Sequence, residues 1–217
     1  MQTSKELKQS ARKVLENKWG DAVMATLTCI IFSLGLYFAL TRPFEGNDAR
    51  ESLAQLVTTL LLLPLDWGLL LIFLRLFRQE EGTETKNLFE GYQQFSRICG
   101  TQILRQIYTA LWSLLFFIPG VVKSLSYSMT PYILADNPEL KYNGAIERSM
   151  KMMKGHKWHL FCLSLSFIWW GILAICTLGI GFLWLTPYYN VTMAAFYEDL
   201  KKENCEMPTE EPAIAEQ

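Results

Sequence analysis

The chain has 217 residues, of which 51% are hydrophobic and 19% are charged, and its net charge is −1. The net charge says nothing about partners, but a nucleic-acid partner would need a sustained basic face, and the sequence shows none. Five cysteines without a CxxC pair indicate neither a disulfide framework nor a zinc site. The long apolar runs instead predict an all-α bundle of membrane-spanning helices.

The positive charges alternate with the apolar runs. Of the 20 Lys and Arg residues, 17 fall in four segments, 1–21, 75–105, 136–159 and 198–217. Lys/Arg-rich loops of multi-pass membrane proteins stay in the cytoplasm. The alternation therefore predicts a multi-pass protein of the cytoplasmic (plasma) membrane with both termini in the cytoplasm and the lipid bilayer as its main partner.

The first two apolar runs predict a membrane hairpin. Residues 22–40 carry no charge and span about 28 Å as a helix, close to the thickness of the hydrocarbon core. Their long polar lead is unlike a signal peptide, so we expect this run to remain as a membrane helix. Residues 53–74 form the second helix, and the connection 41–52 contains the turn residues Pro43, Gly46 and Asn47.

The later apolar runs are each interrupted by helix-breaking residues. Pro119 and Gly120 divide residues 106–135, and Gly179 and Gly181 divide residues 158–198. Two further hairpins follow, for about six spans in total: 22–40, 53–74, 103–118, 120–135, 158–177 and 181–198. A four-span alternative would leave segment 136–159 on the wrong side of the membrane. The spans form one domain over residues 1–200, followed by an acidic, disordered cytoplasmic tail over 201–217.

A short amphipathic helix precedes each hairpin. The three segments are 4–19, 86–99 and 140–154, and each places apolar residues on one helical face. The faces comprise Leu7, Ala11, Val14, Leu15 and Trp19; Leu88, Tyr92, Phe95 and Cys99; and Ala145, Ile146, Ser149, Met152 and Met153. Such a helix either packs beneath the bundle or lies among lipid headgroups, and the sequence does not choose between these arrangements.

Asp66 and Lys123 form the candidate intramembrane polar site. Asp66 is an acid inside an apolar run, which is costly in a bilayer and therefore indicates a functional residue by default. The alternatives for Asp66 are a structural partner for a basic group, a partner for the free helix end near Pro64, or a position nearer the interface. Lys123 lies close to the outer boundary of its span, where its stem can reach the interface.

The segment before the third hairpin carries basic residues and two histidines. Arg148, Lys151, Lys154 and Lys157 form a candidate face for anionic lipid headgroups. His156 and His159 share one helical face, but no acid or cysteine lies at ligand spacing beside them, so they are only a weak indication of a metal site. The sequence predicts neither a cofactor nor a bound metal.

The stretch 118–197 resembles a family of bacterial integral membrane proteins known as domain of unknown function 975. The residues that carry the resemblance are Ile118-Pro119-Gly120, Lys123, Tyr127-Ser128-Met129, Pro131-Tyr132, Asp136-Asn137-Pro138, Ala145-Ile146, Ser149, Met153, Gly155-His156-Lys157-Trp158, Phe167, Thr177-Leu178-Gly179-Ile180-Gly181, Pro187-Tyr188 and Phe196-Tyr197. A fainter similarity extends to membrane domains attached to some glycerophosphodiester phosphodiesterases. The resemblance implies a helical membrane fold and a bacterial source, and it implies no activity.

No catalytic motif accompanies these features. The sequence lacks a G-x-S-x-G, an HExxH, a P-loop and a dinucleotide-binding fingerprint. The leading hypothesis is a non-enzymatic scaffold, accessory subunit or envelope-homeostasis factor with a membrane-protein partner. The alternatives are a small transporter or channel that uses Asp66 and a lipid-handling membrane module. A water-accessible polar cavity around Asp66 would favour transport, whereas a sealed apolar bundle would favour the scaffold.

Overall fold

The computed structural model describes residues 2–206 apart from Asn17, Glu45, Asn47 and Gly82, and within these ranges the fold is all-α without a strand. The helices are α1 (Ser4–Glu16), α2 (Trp19–Thr41), α3 (Asp48–Arg78), α4 (Phe95–Leu115), α5 (Phe117–Ser126), α6 (Thr130–Asp136), α7 (Asn143–Met152), α8 (Lys157–Cys176) and α9 (Phe182–Glu206). A 3₁₀ turn, Arg42–Phe44, follows α2, and a longer 3₁₀ segment, Thr85–Gln94, precedes α4. The predicted all-α class is confirmed.

Among the described residues, three stretches are long and apolar enough to cross a membrane by length and composition. They are Trp19–Phe44, Asp48–Arg78 and Lys157–Cys176. The first two form the α2–α3 hairpin, whose far end keeps apolar side chains such as Ile31 and Leu53 exposed. α8 pairs with α9 in a second hairpin, and Trp169 and Leu178 are exposed near its tip. Exposed apolar side chains of this density fit helices that contact lipid.

The hairpin formed by α4 and α5 differs from the expected pair of full-length spans. α5 has 10 residues and α6 has 7, so they rise about 15 Å and 10 Å, short of a hydrocarbon core of about 30 Å. The expected continuous helix over 120–135 is interrupted by a turn at residues 127–129. Pro131 lacks the N–H that would bond the carbonyl of Tyr127, which favours a break between α5 and α6 at this point. The count of six spans stays a prediction.

The break between α4 and α5 falls at Phe116, before the residues expected to form it. Phe116 is extended, with φ −156° and ψ 138°, and separates the two helices. Pro119 lies in the first turn of α5, where a missing N–H costs nothing. A Cβ atom on Gly120 would lie 2.7 Å from the Cα of Ser113, so this glycine lets α5 fold tightly back on α4.

The faces of two of the short helices are buried within the protein. In α1, which packs on α9, Leu7, Ala11 and Leu15 are fully buried. In α7 the buried residues are Ala145, Ile146, Ser149 and Met152, and Met153 follows them. These faces therefore belong to the core and are not free to lie among headgroups.

The segment before α4 follows a different period. Leu88 and Gly91 are buried, whereas Phe95, which the helical pattern placed on the same face, is 39% exposed. Residues three apart in a 3₁₀ helix lie directly above one another, so Leu88 and Gly91 face α3 together. Phe95 falls off that line and points away from the core.

An ion-pair network joins α3, α6 and α9. Arg78 bonds both Asp136, with Nη2 to Oδ2 at 2.8 Å, and Glu198, with Nε to Oε1 at 2.7 Å. Lys201 Nζ lies 2.7 Å from Asp136 Oδ2, and Tyr197 donates its hydroxyl to the same carboxylate at 3.0 Å. The network holds the part of α9 that follows its apolar residues against α3 and α6.

The predicted start of the disordered tail at residue 201 is therefore wrong, because α9 continues to Glu206. Residues 201–206 are the last turns of α9, and Lys201 takes part in the ion-pair network. Residues 207–217 lie outside the described residues.

Candidate functional site

A polar cavity of about 630 Å³ lies between α3, α4, α6, α9 and the turn after α5. This volume is in the range of sites for small molecules. The polar residues that line it are Asp66, Gln102, Arg105, Gln106, Thr109, Ser113, Ser124, Tyr127, Ser128, Tyr132, Tyr189 and Asn190. We call it the Asp66 cavity.

Asp66 is held at the cavity wall by its neighbours on α3. The adjacent Trp67 is buried and donates its indole N–H to the carbonyl of Pro131 at 3.1 Å, which fixes α3 against α6. Asp66 itself is exposed to the cavity. Its carboxylate forms no hydrogen bond or ion pair with any residue in the described part of the chain.

The free carbonyls near Pro64 are satisfied without Asp66. Pro64 lacks the N–H that would bond the carbonyl of Leu60 inside α3. The thiol of Cys99 lies 3.7 Å from the Leu60 carbonyl, and the hydroxyl of Tyr92 donates to Leu61 at 2.7 Å. The structural alternatives for Asp66, a basic partner or the helix end near Pro64, therefore find no support among the described residues.

The 3₁₀ segment lies directly behind Asp66, with its backbone against that of α3. A Cβ atom on Gly68 would lie 2.0 Å from the carbonyl oxygen of Leu88. Only glycine allows two backbones to approach so closely. The wall that carries Asp66 is thereby held in place from the side opposite the cavity.

The opposite wall is a polar stripe on α4. Gln102, Arg105, Gln106, Thr109 and Ser113 recur at intervals of three or four residues, which places them on one helical face. Arg105 is half-buried and forms no ion pair within the described residues. Gln102 is only 7% exposed, and its Oε1 has no hydrogen-bond partner among the described residues. Polar groups left unpaired at this depth fit a site that a ligand or water completes.

Sequence reasoning missed Arg105, Gln102 and Gln106. It counted Arg105 with the cytoplasmic charges of segment 75–105, although Arg105 lies inside the span predicted over 103–118. The signal that could have found it is the spacing of polar residues along that apolar run. Polar residues at helical spacing indicate a face turned away from lipid.

Lys123 does not join Asp66. Its ammonium lies over the ring of Trp112, 4.8 Å from the ring centroid, and it lines a separate depression beside Asn143 and Glu147. The two residues of the candidate polar site are thus placed apart, and the cation that shares the cavity with Asp66 is Arg105.

The two histidines lie at the interface of α8 and α9. His156 Nε2 is 3.6 Å from Glu203 Oε1, and the ring of His159 packs edge-on against Phe196. Asp136 is engaged by the ion-pair network and does not meet them. Within the described residues no three His, Cys, Asp or Glu side chains are grouped to hold a metal ion.

The basic residues near α7 are largely at the surface. Arg148, Lys151 and Lys154 are exposed, Lys157 is half-buried, and Arg148 donates to the side chain of Asn137 at 3.2 Å.

At the far end of the α8–α9 hairpin, Gly179 (φ +87°) and Gly181 lie in the turn between Cys176 and Phe182. A Cβ on Gly181 would lie 2.7 Å from the Cα of Ala174, so this glycine brings the two helices together.

The architecture fits a helical membrane protein with an open cavity between its helices that is lined by many polar residues. The family described as "Protein of unknown function (DUF975)" matches residues 1–126 and 117–204, and the chain belongs to it. No curated protein and no solved structure matches the chain.

Proposed function

We propose that this protein is a multi-pass transporter of the bacterial cytoplasmic membrane that binds a small polar solute in the Asp66 cavity. Both termini face the cytoplasm in this proposal, as the distribution of Lys and Arg predicts. The exposed basic residues Arg148, Lys151 and Lys154 rest against anionic lipid headgroups.

The observation that carries the proposal is the carboxylate of Asp66, which meets the cavity without a partner among the residues that the structure describes. A charged group inside a membrane protein is costly unless it is paired or faces a water-filled space. Asp66 lies within a stretch long and apolar enough to cross the bilayer. Its position is explained if the carboxylate meets water and a solute in the cavity.

The interrupted helix beside the cavity also supports transport. Tyr127 and Ser128 lie in the turn between α5 and α6 and line the cavity. Non-helical backbone at membrane depth is tolerated where it lines a water-filled cavity. Solute sites of membrane transporters are commonly built from such broken helices.

The same observations disfavour the scaffold hypothesis. A scaffold needs only a packed interior and a partner surface, and a sealed apolar bundle is the expected form. An open cavity whose acid and base have no ion-pair partner in the described part of the chain destabilises such a bundle and contributes nothing to a scaffold.

The experiment compares purified full-length protein with Asp66→Asn and Lys123→Gln. The melting temperature of each is measured against amines, carboxylates, amino acids, polyols and sugars, and stabilising solutes are then tested for uptake into proteoliposomes. We expect at least one class to stabilise the parent and the Lys123→Gln control, but not Asp66→Asn, and to be taken up. Stabilisation by no solute, or equal stabilisation of Asp66→Asn, would contradict the proposal.

A further inference from the structure

The Asp66 cavity presents two opposite charges that do not neutralise each other. Asp66 enters from α3 and Arg105 enters from α4, and neither forms an ion pair with a described residue. Two charges that line one cavity without pairing are held apart by the helices that carry them. Each is left with an unmet requirement for a counter-charge.

The class of ligand follows from this pair of charges. A simple cation would neutralise Asp66 and leave the guanidinium of Arg105 unpaired, and a simple anion would do the reverse. A neutral solute would leave both Asp66 and Arg105 without a counter-charge. A zwitterion brings both counter-charges at once and adds no net charge to the membrane interior, where net charge is expensive.

Gln102 indicates which kind of cationic group the ligand carries. The Gln102 side chain lines the cavity one helical turn before Arg105 on α4. Its amide oxygen is buried without a donor among the described residues, and the side chain must turn toward the cavity for this oxygen to reach a ligand. A buried acceptor of this kind favours a ligand that brings an N–H. A protonated amine supplies such donors, whereas a quaternary ammonium has none.

We infer that the cavity recognises a zwitterion that carries a protonated amine and a carboxylate, with the amine at Asp66 and Gln102 and the carboxylate at Arg105. This inference rests on the solute-binding function proposed above and specifies its substrate class. A carboxylate suits Arg105 because the guanidinium fork matches its two oxygens.

The test uses full-length protein in lipid nanodiscs and matched probes of one chain length. The probes are γ-aminobutyrate, butylamine, butyrate, butyramide and the trimethylammonium analogue of γ-aminobutyrate, each titrated calorimetrically. Glycine, β-alanine and ε-aminocaproate vary the separation of the two charges. We expect one member of the amino-acid series to bind about 10- to 100-fold more tightly than the single-charge and neutral probes, the gain of one charged hydrogen-bonding contact. The trimethylammonium analogue should bind more weakly than γ-aminobutyrate.

Two variants test the contacts of the amine and of the carboxylate separately. Asp66→Asn should lose the preference for the zwitterion and bind butyrate at least as well, whereas Arg105→Gln should lose it and bind butylamine at least as well. Lys123→Gln, which lies outside the cavity over Trp112, should behave as the parent. Circular dichroism and melting temperature establish that each variant is folded before titration. Gln102→Leu should reduce the preference for the amine over the trimethylammonium analogue.

The outcomes distinguish the inference from the function on which it rests. If a single-charge or neutral probe, or a sugar, binds more tightly than every zwitterion and depends on Asp66, the zwitterion inference is wrong and solute binding stands. If no solute of any class binds the parent, both are wrong. If zwitterions bind equally well to Asp66→Asn and Arg105→Gln, the assigned contacts of the amine and of the carboxylate are wrong.

Discussion

A Cβ atom on Gly91 would lie 2.3 Å from the carbonyl oxygen of Pro64, so the 3₁₀ segment and α3 touch backbone to backbone. This contact lies within one helical turn of Asp66, on the side of α3 that faces away from the cavity. The obstructing atoms belong to the backbone, which cannot move aside as a flexible side chain can. The position of the cavity wall therefore depends on a residue that carries no side chain.

We predict that Gly91→Ala destabilises the protein by about 1–3 kcal/mol or more, the usual cost of overpacking. The measurement is thermal or denaturant unfolding of the detergent-solubilised protein. Gly35→Ala in α2 is the matched control, because a Cβ there meets no atom within 4 Å. It should leave stability unchanged or raise it slightly, since alanine favours a helix. Equal effects at the two positions would contradict the close contact.

The ion-pair network predicts a stability that falls in acid. Burial raises the pKa of the Asp136 carboxyl, but the hydrogen bonds from Arg78, Lys201 and Tyr197 and the charge of Arg78 outweigh it and lower the pKa to about 2. A carboxyl whose folded pKa lies below its unfolded value, about 3.9, contributes stability above that value. The contribution is lost as the pH falls from about 4 through 2.

We expect Asp136→Asn to lose about 1.5–3 kcal/mol at neutral pH, the cost of removing charged hydrogen bonds. Its stability should also vary less than that of the parent between pH 4 and 2, as measured by unfolding at each pH. Glu84→Gln is the control, because Glu84 pairs with Lys86 at the surface, where ion pairs contribute little. A parent and an Asp136→Asn variant with the same pH profile would contradict the assignment.

Arg97 closes the end of α6. Its Nη1 lies 3.2 Å from the carbonyl oxygens of Leu134 and Asn137 and 3.3 Å from that of Leu140, and the side chain is 7% exposed. Removing it would leave the carbonyls of Leu134 and Leu140 without this donor, whereas the Asn137 carbonyl would keep the N–H of Leu140. We predict that Arg97→Ala costs about 1–3 kcal/mol or more, whereas the exposed Arg148→Ala costs under about 1 kcal/mol. Similar losses for both variants, in the same unfolding assay, would refute the role of Arg97.

The proposed lipid face predicts a difference between lipids. Arg148, Lys151 and Lys154 are exposed together near α7. Anionic lipid added to detergent-solubilised protein should raise the melting temperature more than zwitterionic lipid does, at about 1 kcal/mol of attraction per charge. The triple Gln variant should lose most of that difference. A variant that keeps it would show that these charges serve another purpose, such as a protein partner.

The predicted orientation is tested by labelling in intact cells. Gly179 lies in the turn between α8 and α9, and Gly155 lies in the turn after α7. In a variant without native cysteines, a cysteine at position 179 should react with an impermeant reagent from outside, and one at position 155 should not. The reverse pattern would place the termini outside.

The sequence by itself determined the helical class, the family and two of the three apolar hairpins, α2–α3 and α8–α9. Helix periodicity, charge alternation and the glycine turn at 177–181 are local signals. They depend only on residues that are close in sequence, so they can be interpreted without the tertiary structure. The same local reasoning identified Asp66 as unusual, because an acid within an apolar run is visible without knowing what surrounds it.

Only the tertiary structure decided what Asp66 meets. Arg105 lies 39 residues away in sequence and was grouped with cytoplasmic charges, and nothing local indicates that the two residues share a cavity. The interruption before Pro131 and the approach of Gly91 to Pro64 also depend on which backbones pack together. Side-chain periodicity shows which face of a helix is apolar, but the partner of that face is set by long-range packing, which a single sequence does not encode in any local pattern.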